Sequence, residues 1–233
     1  MVRVSAIVST YNSERFLRGR IDDLLRQSLY QRGELEIVVV NAGSKQGEKY
    51  IAREYLGCIT YIESLRDPIY TSWNRGIIIA KGQYITNANA DDRYTDTAAL
   101  ECMARTLDEN PDTGLVYSDA TVVDDAGAVS SKAPYFGAIK WPDFDKHLLL
   151  QGYYGGPNPM WRRSLHQQYG LFDESYQLGG DYEFALRLAA NGVTFKHIPL
   201  ALTAFYDDGT NINNGEYAAM ESRRALLKWR SRL

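Results

Sequence analysis

The chain has 233 residues, 45% of them hydrophobic and 24% charged, which is ordinary for a soluble protein and long enough to bury a large core. Its formal net charge of -3 lacks the basic field that a partner of polymeric nucleic acid presents, so that class is set aside.

In chain order, VRVSAIVST (2–10) predicts a first strand. With Asn12 or Ser13 as N-cap, Phe16, Leu17, Ile21, Leu24, Leu25 and Leu29 then recur at helical spacing. LEIVVV (35–40) is a continuous apolar run, the mark of a strand buried on both faces, and it ends in the loop NAGSKQG. A helix is expected over 46–56, a strand at CITYIES (58–64), a helix at YTSWNRGIIIAKG (70–82) closed by Gly82, and a strand at YITNAN (84–89). An amphipathic helix over 96–110 stops at Pro111. Strands alternating with helices predict βαβ units around a mainly parallel sheet.

Beyond Pro111 the rhythm changes. LVYSDATVVDDAGAVS (115–130) reads as two extended runs joined by a turn at 125–127, and a Tyr/Gly/Pro-rich stretch covers 134–159. A helix begins at Asp181 after a Gly-Gly pair, and residues 216–233 read as a basic helix carrying Met220, Leu226, Leu227 and Trp229, expected first to pack on the domain and otherwise to lead into a further region or to touch a membrane at its periphery. Cys58 and Cys102 are isolated, fit neither a redox pair nor a zinc cluster, and are expected as buried thiols of a reducing compartment. The N-terminal apolar run is too short for a signal peptide and no apolar segment of about 18 residues follows, so a cytoplasmic location is expected.

Ligands of open parallel sheets collect at the carboxyl ends of the strands, where STYN (9–12), NAGS (41–44) and NANADD (87–92) are expected to converge. Neither a dinucleotide fingerprint nor a P-loop is present. Asp91 and Asp92 are hard oxygen donors suited to Mg²⁺ or Mn²⁺ beside phosphate, although an Asp pair by itself reads first as a turn or cap. Asp181 reads equally as a chemical group, with Gly-Gly admitting a ligand to the backbone, or as an N-cap; Glu183 reads as a solvated acid. His147, His166 and His197 share no spacing and read as core or surface residues, His197 on a strand. Trp141, Tyr153, Tyr154 and Trp161 are suited equally to stacking on sugar rings and to packing a core.

With these residues in view the chain resembles a GT-A fold glycosyltransferase of family 2. AIVSTYNSERFLRGRIDDLLRQSL resembles the family's opening, LEIVVVNAGSKQG the segment usually ending Asp-Asp-Gly-Ser, and RDPIYTSWNRGIIIAKGQYI the Asn/Gly helix before the metal strand. NANADDRY stands at the Asp-x-Asp motif, GLVYSDATVVDD resembles the following strand, and RRSLHQQYGLFDESYQLGGDYEFALRLAANG the acceptor-side segment with its catalytic acid. The resemblance implies a Rossmann-like, mainly parallel sheet in a single domain, with a nucleotide-sugar-binding half at 1–110, an acceptor-side half at 111–215 and a C-terminal helix at 216–233. It implies an inverting transferase that moves a sugar from a nucleoside-diphosphate sugar, UDP-linked, to a hydroxyl of a glycan or lipid-linked acceptor, in cell-surface polysaccharide or glycoconjugate synthesis. Thr10, Tyr11, Asn41, Asp67, Asn89 and Asp91 are then expected against the donor, with Asp91 on a divalent cation, Asp181 as general base, and Trp161 and Tyr154 toward the acceptor. Asn41, Ala42, Gln46 and Asn89 stand where the family often has Asp, which implies weaker cation binding. The alternative is a non-catalytic sugar-nucleotide or glycan-binding module of the same fold; a nucleotidyltransferase lacks its Gly-rich loop here.

Overall fold

The structure, a computed structural model, describes residues 1–124, 138–207 and 215–233. The turn expected at 125–127, and the start of the 134–159 stretch, lie outside the described residues.

The first half is a run of βαβ units: β1 (Val4–Thr10), α1 (Glu14–Leu25), α2 (Ser28–Gln31), β2 (Leu35–Asn41), α3 (Glu48–Glu54), β3 (Thr60–Glu63), α4 (Ile69–Ile79), β4 (Tyr84–Asn87), the short β5 (Arg93–Tyr94) and α5 (Ala99–Glu109). There follow β6 (Thr113–Val123), β7 (Ala138–Ile139), β8 (Met160–Arg162), α6 (Ser164–Tyr169), α7 (Gly180–Ala190), β9 (Thr194–Tyr206) and α8 (Glu216–Trp229). Among the described residues one sheet runs β3-β2-β1-β4-β8-β6-β9-β5, with β7 paired to β6. The ladders among β3, β2, β1 and β4 are parallel and those of β8 to β4 and β6 are antiparallel, so the sheet is mixed where the second half joins.

Both faces of the sheet are buried because its central strands are apolar at successive positions. Val4, Ala6, Val8, Ile37 and Val39 face one core with Leu17, Ile21 and Leu24 of α1 and Leu100, Met103 and Leu107 of α5. Ile7, Val38, Val40 and Ile85 face the other, with Trp73 and Ile77 of α4, Phe184 and Leu188 of α7 and Ala225 of α8. The expected packing of the C-terminal helix on the domain is therefore observed, and among the described residues no helix is long and apolar enough to cross a membrane.

Three local expectations are corrected. Cys58 is exposed and Cys102 half-buried; Cys58 lies in the turn that leads into the edge strand β3. Gly82 does not close α4, which ends at Ile79 with Ala80 already extended; Gly82 instead lets its chain pass close to β1, where an added Cβ would lie 2.6 Å from the Ser5 nitrogen. The expected N-cap is observed: Ser13 precedes α1, with its hydroxyl meeting that of Thr10 at 2.6 Å instead of a helix amide. Glu183 is fully buried, not solvated, because it lies between α7 and α8 and pairs with Arg187 and Lys228.

Candidate active site

The parallel register aligns Val4 with both Leu35 and Tyr84, so the ends of β1, β2 and β4 share one edge of the sheet. Two of the loops there are stitched together. The Asn12 side-chain oxygen accepts from the Lys45 amide at 2.9 Å, and the Asn12 amide donates to the Ser44 hydroxyl at 3.0 Å. Asn41 is buried and occupied on both sides: its oxygen accepts from the Ser44 amide at 2.9 Å and its Nδ2 donates to the Tyr61 hydroxyl at 2.9 Å. Gly43 has φ +74°, and an added Cβ would lie 2.7 Å from the Arg66 nitrogen, so the loop before α4 presses on this one. Thr10 is buried at the strand end, while Tyr11 is exposed beneath the Arg66 guanidinium, 3.7 Å from its ring centroid. Asp67 is tied to Arg75 at 2.6 Å, and that bond holds its carboxyl below the ordinary range.

The acids of NANADD take different roles. Asp92 is buried, with Oδ2 accepting from Asn89 Nδ2 at 3.1 Å and Asn158 Nδ2 at 3.0 Å, and Oδ1 from the Tyr206 amide at 3.2 Å. Burial, and then the neighbouring charge of Asp91, raise its proton affinity. Beneath it lies the fully buried Arg20, which reaches Asp23 at 2.8 Å and Asn158 Oδ1 at 3.0 Å and stacks over Tyr94 at 4.6 Å. Arg93 braces the same loop through the Ala90 carbonyl at 2.9 Å and the Phe16 carbonyl at 2.9 Å. Two guanidiniums thus face three carboxylates, and the one with no hydrogen bond to another side chain among the described residues is Asp91: half-buried, raised in proton affinity by burial, and met by main-chain amides of residues 91 and 92. Because Asn89 donates Nδ2 to Asp92, its own oxygen is left to accept from a ligand or a cation. Among the described residues no three His, Cys, Asp or Glu side chains cluster tightly enough to hold a metal. The donor set fits a divalent ion carried largely by phosphate oxygens, with Asp91 and the Asn89 oxygen as protein ligands.

Asp181 stands in the first turn of α7, whose N-cap is Gly179. Its Oδ1 accepts from the Tyr182 amide at 2.8 Å and from the Tyr70 hydroxyl at 3.2 Å. The carboxyl lines a small cavity of about 20 Å³, room for one water, with Asn87 at the end of β4, Trp73, Tyr153, Trp161, Phe172 and Phe184. That aromatic wall desolvates the carboxylate and pushes its pKa up to about 6. Asp181 and the strand that carries the acidic loop therefore border one space. The Gly-Gly pair admits protein rather than ligand: a Cβ on Gly180 would lie 2.7 Å from the Tyr70 ring, and one on Gly179 would lie 3.0 Å from Glu221 Cβ.

Trp161 and Tyr154 are buried. Trp161 donates its indole N–H to His166 Nε2 at 2.8 Å, and Tyr154 donates its hydroxyl to the Asp145 carbonyl at 2.6 Å. His166, pushed down to about 4 by burial, is neutral, which suits its acceptor role at Nε2. Trp161 reaches the site only as part of the cavity wall, beside the more exposed Tyr153. Sequence reasoning passed over Arg20, Asp23, Asn158 and Arg66. The one signal for Asn158 was its place in the Gly/Pro-rich stretch, where it takes φ +52°.

The model of glycosyl transferase family 2 matches residues 5–169. The chain belongs to that family. An uncharacterized glycosyltransferase of Rickettsia typhi is 29% identical over 216 residues, which cover 89% of this chain and 65% of the relative. Among solved structures, a mannosyltransferase of Pyrobaculum calidifontis in complex with GDP-Man and Mn²⁺ superposes with TM-score 0.68 and 20% identity, covering 95% of this chain and 60% of that one. TarS of S. aureus in complex with UDP-GlcNAc superposes with TM-score 0.72 and 17% identity, covering 99% of this chain and 72% of that one. The family match and the neighbours' architecture give the chain a GT-A fold within glycosyl transferase family 2, and the chain spans somewhat less than two thirds of the first two proteins' length.

Proposed function

We propose that this glycosyltransferase moves a sugar from a UDP-linked donor to a hydroxyl acceptor with inversion, Asp181 acting as general base. The observation that carries the reading is the Asp181 carboxyl, desolvated to a pKa of about 6, on a cavity it shares with Asn87 of the donor-side strand. A base of that strength takes a proton from an attacking hydroxyl near neutral pH, while Tyr70 and the Tyr182 amide hold its Oδ1 in place. Thr10, Tyr11 and Asn41 border the nucleoside, with Asn41 acting by shaping its loop and Arg66 capping Tyr11. Asp67 acts through Arg75, and Asn89 and Asp91 hold the diphosphate end. Asp91 and the Asn89 oxygen would be the residues to hold a divalent cation, which would supply positive charge against the diphosphate as it leaves. The cavity admits no more than the attacking hydroxyl, so Tyr153 at its wall is the residue assigned to the acceptor, with Trp161 beside it and Tyr154 in the core behind. The neighbours' ligands, UDP-GlcNAc on TarS and GDP-Man with Mn²⁺ on the Pyrobaculum enzyme, support a nucleoside-diphosphate sugar as donor class.

The test is thermal unfolding with UDP or GDP, with and without Mn²⁺, on wild type and Asp91→Asn. UDP at about 100 times its Kd stabilises by about 2.7 kcal/mol. The expected result is stabilisation by UDP that needs Mn²⁺ in wild type and loses that dependence in the variant. Equal stabilisation without the metal and in the variant overturns the role of Asp91; preference for GDP overturns the donor base.

A further inference from the structure

The C-terminal helix grips the loop that leads into Asp181 along a single stripe. Glu221, Arg224 and Lys228 fall at i, i+3 and i+7 of α8 and share one face. Lys228 pairs with Asp173 at 3.0 Å, and Arg224 donates to the Ser175 carbonyl at 3.2 Å and lies 4.0 Å over the Tyr176 ring. Glu221 completes the series. Its carboxylate, 1% exposed, accepts from three successive amides: Gln177 at 2.9 Å, Leu178 at 2.7 Å and Gly179 at 2.9 Å. Gly179 is the N-cap of α7, two residues before Asp181. A second clasp runs the other way, since buried Glu183 of α7 accepts from Lys228 at 2.9 Å and from the Trp229 indole at 2.9 Å.

We propose that Glu221 is a positioning residue: its carboxylate, held in the amides of residues 177–179, sets the first turn of α7 and with it the place of the Asp181 carboxyl. The inference rests on the reading of Asp181 as the base. A neutral side chain at 221 cannot satisfy three amides at once, because one amide oxygen offers two lone pairs and its nitrogen donates. The charge matters as well as the bonds. Burial and the negative charge of Glu221 both raise Asp181, against the Tyr182 amide and the Tyr70 hydroxyl, which lower it. Tyr153, the other titratable group facing the carboxyl, is itself held far above its ordinary range by burial and by Asp181, and stays neutral at working pH. Glu221 lies outside residues 5–169, the stretch shared with the family model, so its role belongs to the part of the chain that the match leaves undescribed.

The experiment is a cycle on the full chain: wild type, Glu221→Gln, Asp181→Asn and the double variant, each unfolded in urea from pH 4.5 to 8. The pH-dependent difference between wild type and Asp181→Asn reports the titration of Asp181 without any turnover. In the Glu221→Gln background its midpoint is expected at lower pH, since removal of the neighbouring negative charge favours ionisation. An unmoved midpoint, with the two substitutions additive at every pH, means that Glu221 only stabilises the fold and overturns the proposal. Hydrolysis of UDP-GlcNAc is followed in parallel, where Glu221→Gln is expected to lower kcat between about 10- and 100-fold, as a small displacement of a catalytic group does, with KM unchanged. A shifted midpoint together with full hydrolysis by Asp181→Asn sinks the base role while leaving the coupling standing, so the two failures are distinct. If Glu221→Gln does not fold, hydrogen exchange of wild type carries the test: amides 177–179 protected like core helix support the clamp, and exchange at free-loop rates overturns it.

Discussion

Replacing Asp181 by Asn separates stability from chemistry. Both bonds recorded to the carboxyl, from the Tyr182 amide at 2.8 Å and the Tyr70 hydroxyl at 3.2 Å, end on Oδ1, and an Asn side chain keeps an acceptor there. What the variant removes is a carboxylate that folding desolvates. The rise from an ordinary 3.8 to about 6 corresponds to about 3 kcal/mol at 1.36 kcal/mol per tenfold change in proton affinity. The folded chain binds this proton more tightly than the unfolded chain, so the contribution of Asp181 is most favourable below pH 3.8 and is lost as pH rises through about 6. Asp181→Asn should therefore match wild type near pH 4 and gain on it to a plateau above about pH 7, with about 3 kcal/mol as the upper limit because the new amide must also be desolvated. Over the same range, transfer or donor hydrolysis should fall by about 100-fold or more, the usual worth of a general base. Urea unfolding at several pH values and a donor-hydrolysis assay measure the two effects. A stability difference that does not change with pH refutes the desolvation argument, and substantial transfer by the variant refutes the base.

Two further substitutions probe the donor-side loop. Arg20→Met leaves Asp23 and the Asn158–Asp92 pair without their buried cation and should cost about 3–5 kcal/mol in urea unfolding at pH 7, whereas a loss below about 1 kcal/mol would show the guanidinium to be incidental. Asn89→Asp removes a donor to Asp92 and sets a second carboxylate beside it, so the metal-free protein should lose about 1.5–3 kcal/mol and recover more with Mn²⁺ than wild type does. An unchanged melting temperature without metal refutes the role given to the Asn89 amide.

The parallel half of the fold was legible because its signals are local: continuous apolar runs on β1 and β2, helical spacing on α1, and loops at strand ends whose order fixes which edge they share. The contacts that give the site its character are not local. Arg20 meets Asn158 across 138 positions, Asp92 meets the Tyr206 amide across 114, and Tyr70 meets Asp181 across 111. No periodicity or spacing carries such pairs. Trp161 and Tyr154 were ambiguous for a different reason, since an aromatic ring suits a sugar face and a core equally and only burial separates the two.

The amides of NANADD show how a partner changes the meaning of a residue. Beside a family pattern rich in Asp, Asn89 looks like a lost metal ligand. Asp92, however, is buried with Oδ2 receiving both Asn89 and Asn158 side-chain amides, and a carboxylate at either position could not donate. The Asn side chains thus keep one acid, Asp92, folded into the scaffold, while the other, Asp91, is held by burial and by the main-chain amides of residues 91 and 92. In that arrangement the loop holds its shape through Arg20 and Arg93 beneath it, so on the proposed reading a cation would be carried by the donor's diphosphate more than by the protein. Mn²⁺ should then bind weakly without UDP and tightly with it, and calorimetric titration of Mn²⁺ in both conditions checks this; equal affinity in the two refutes it.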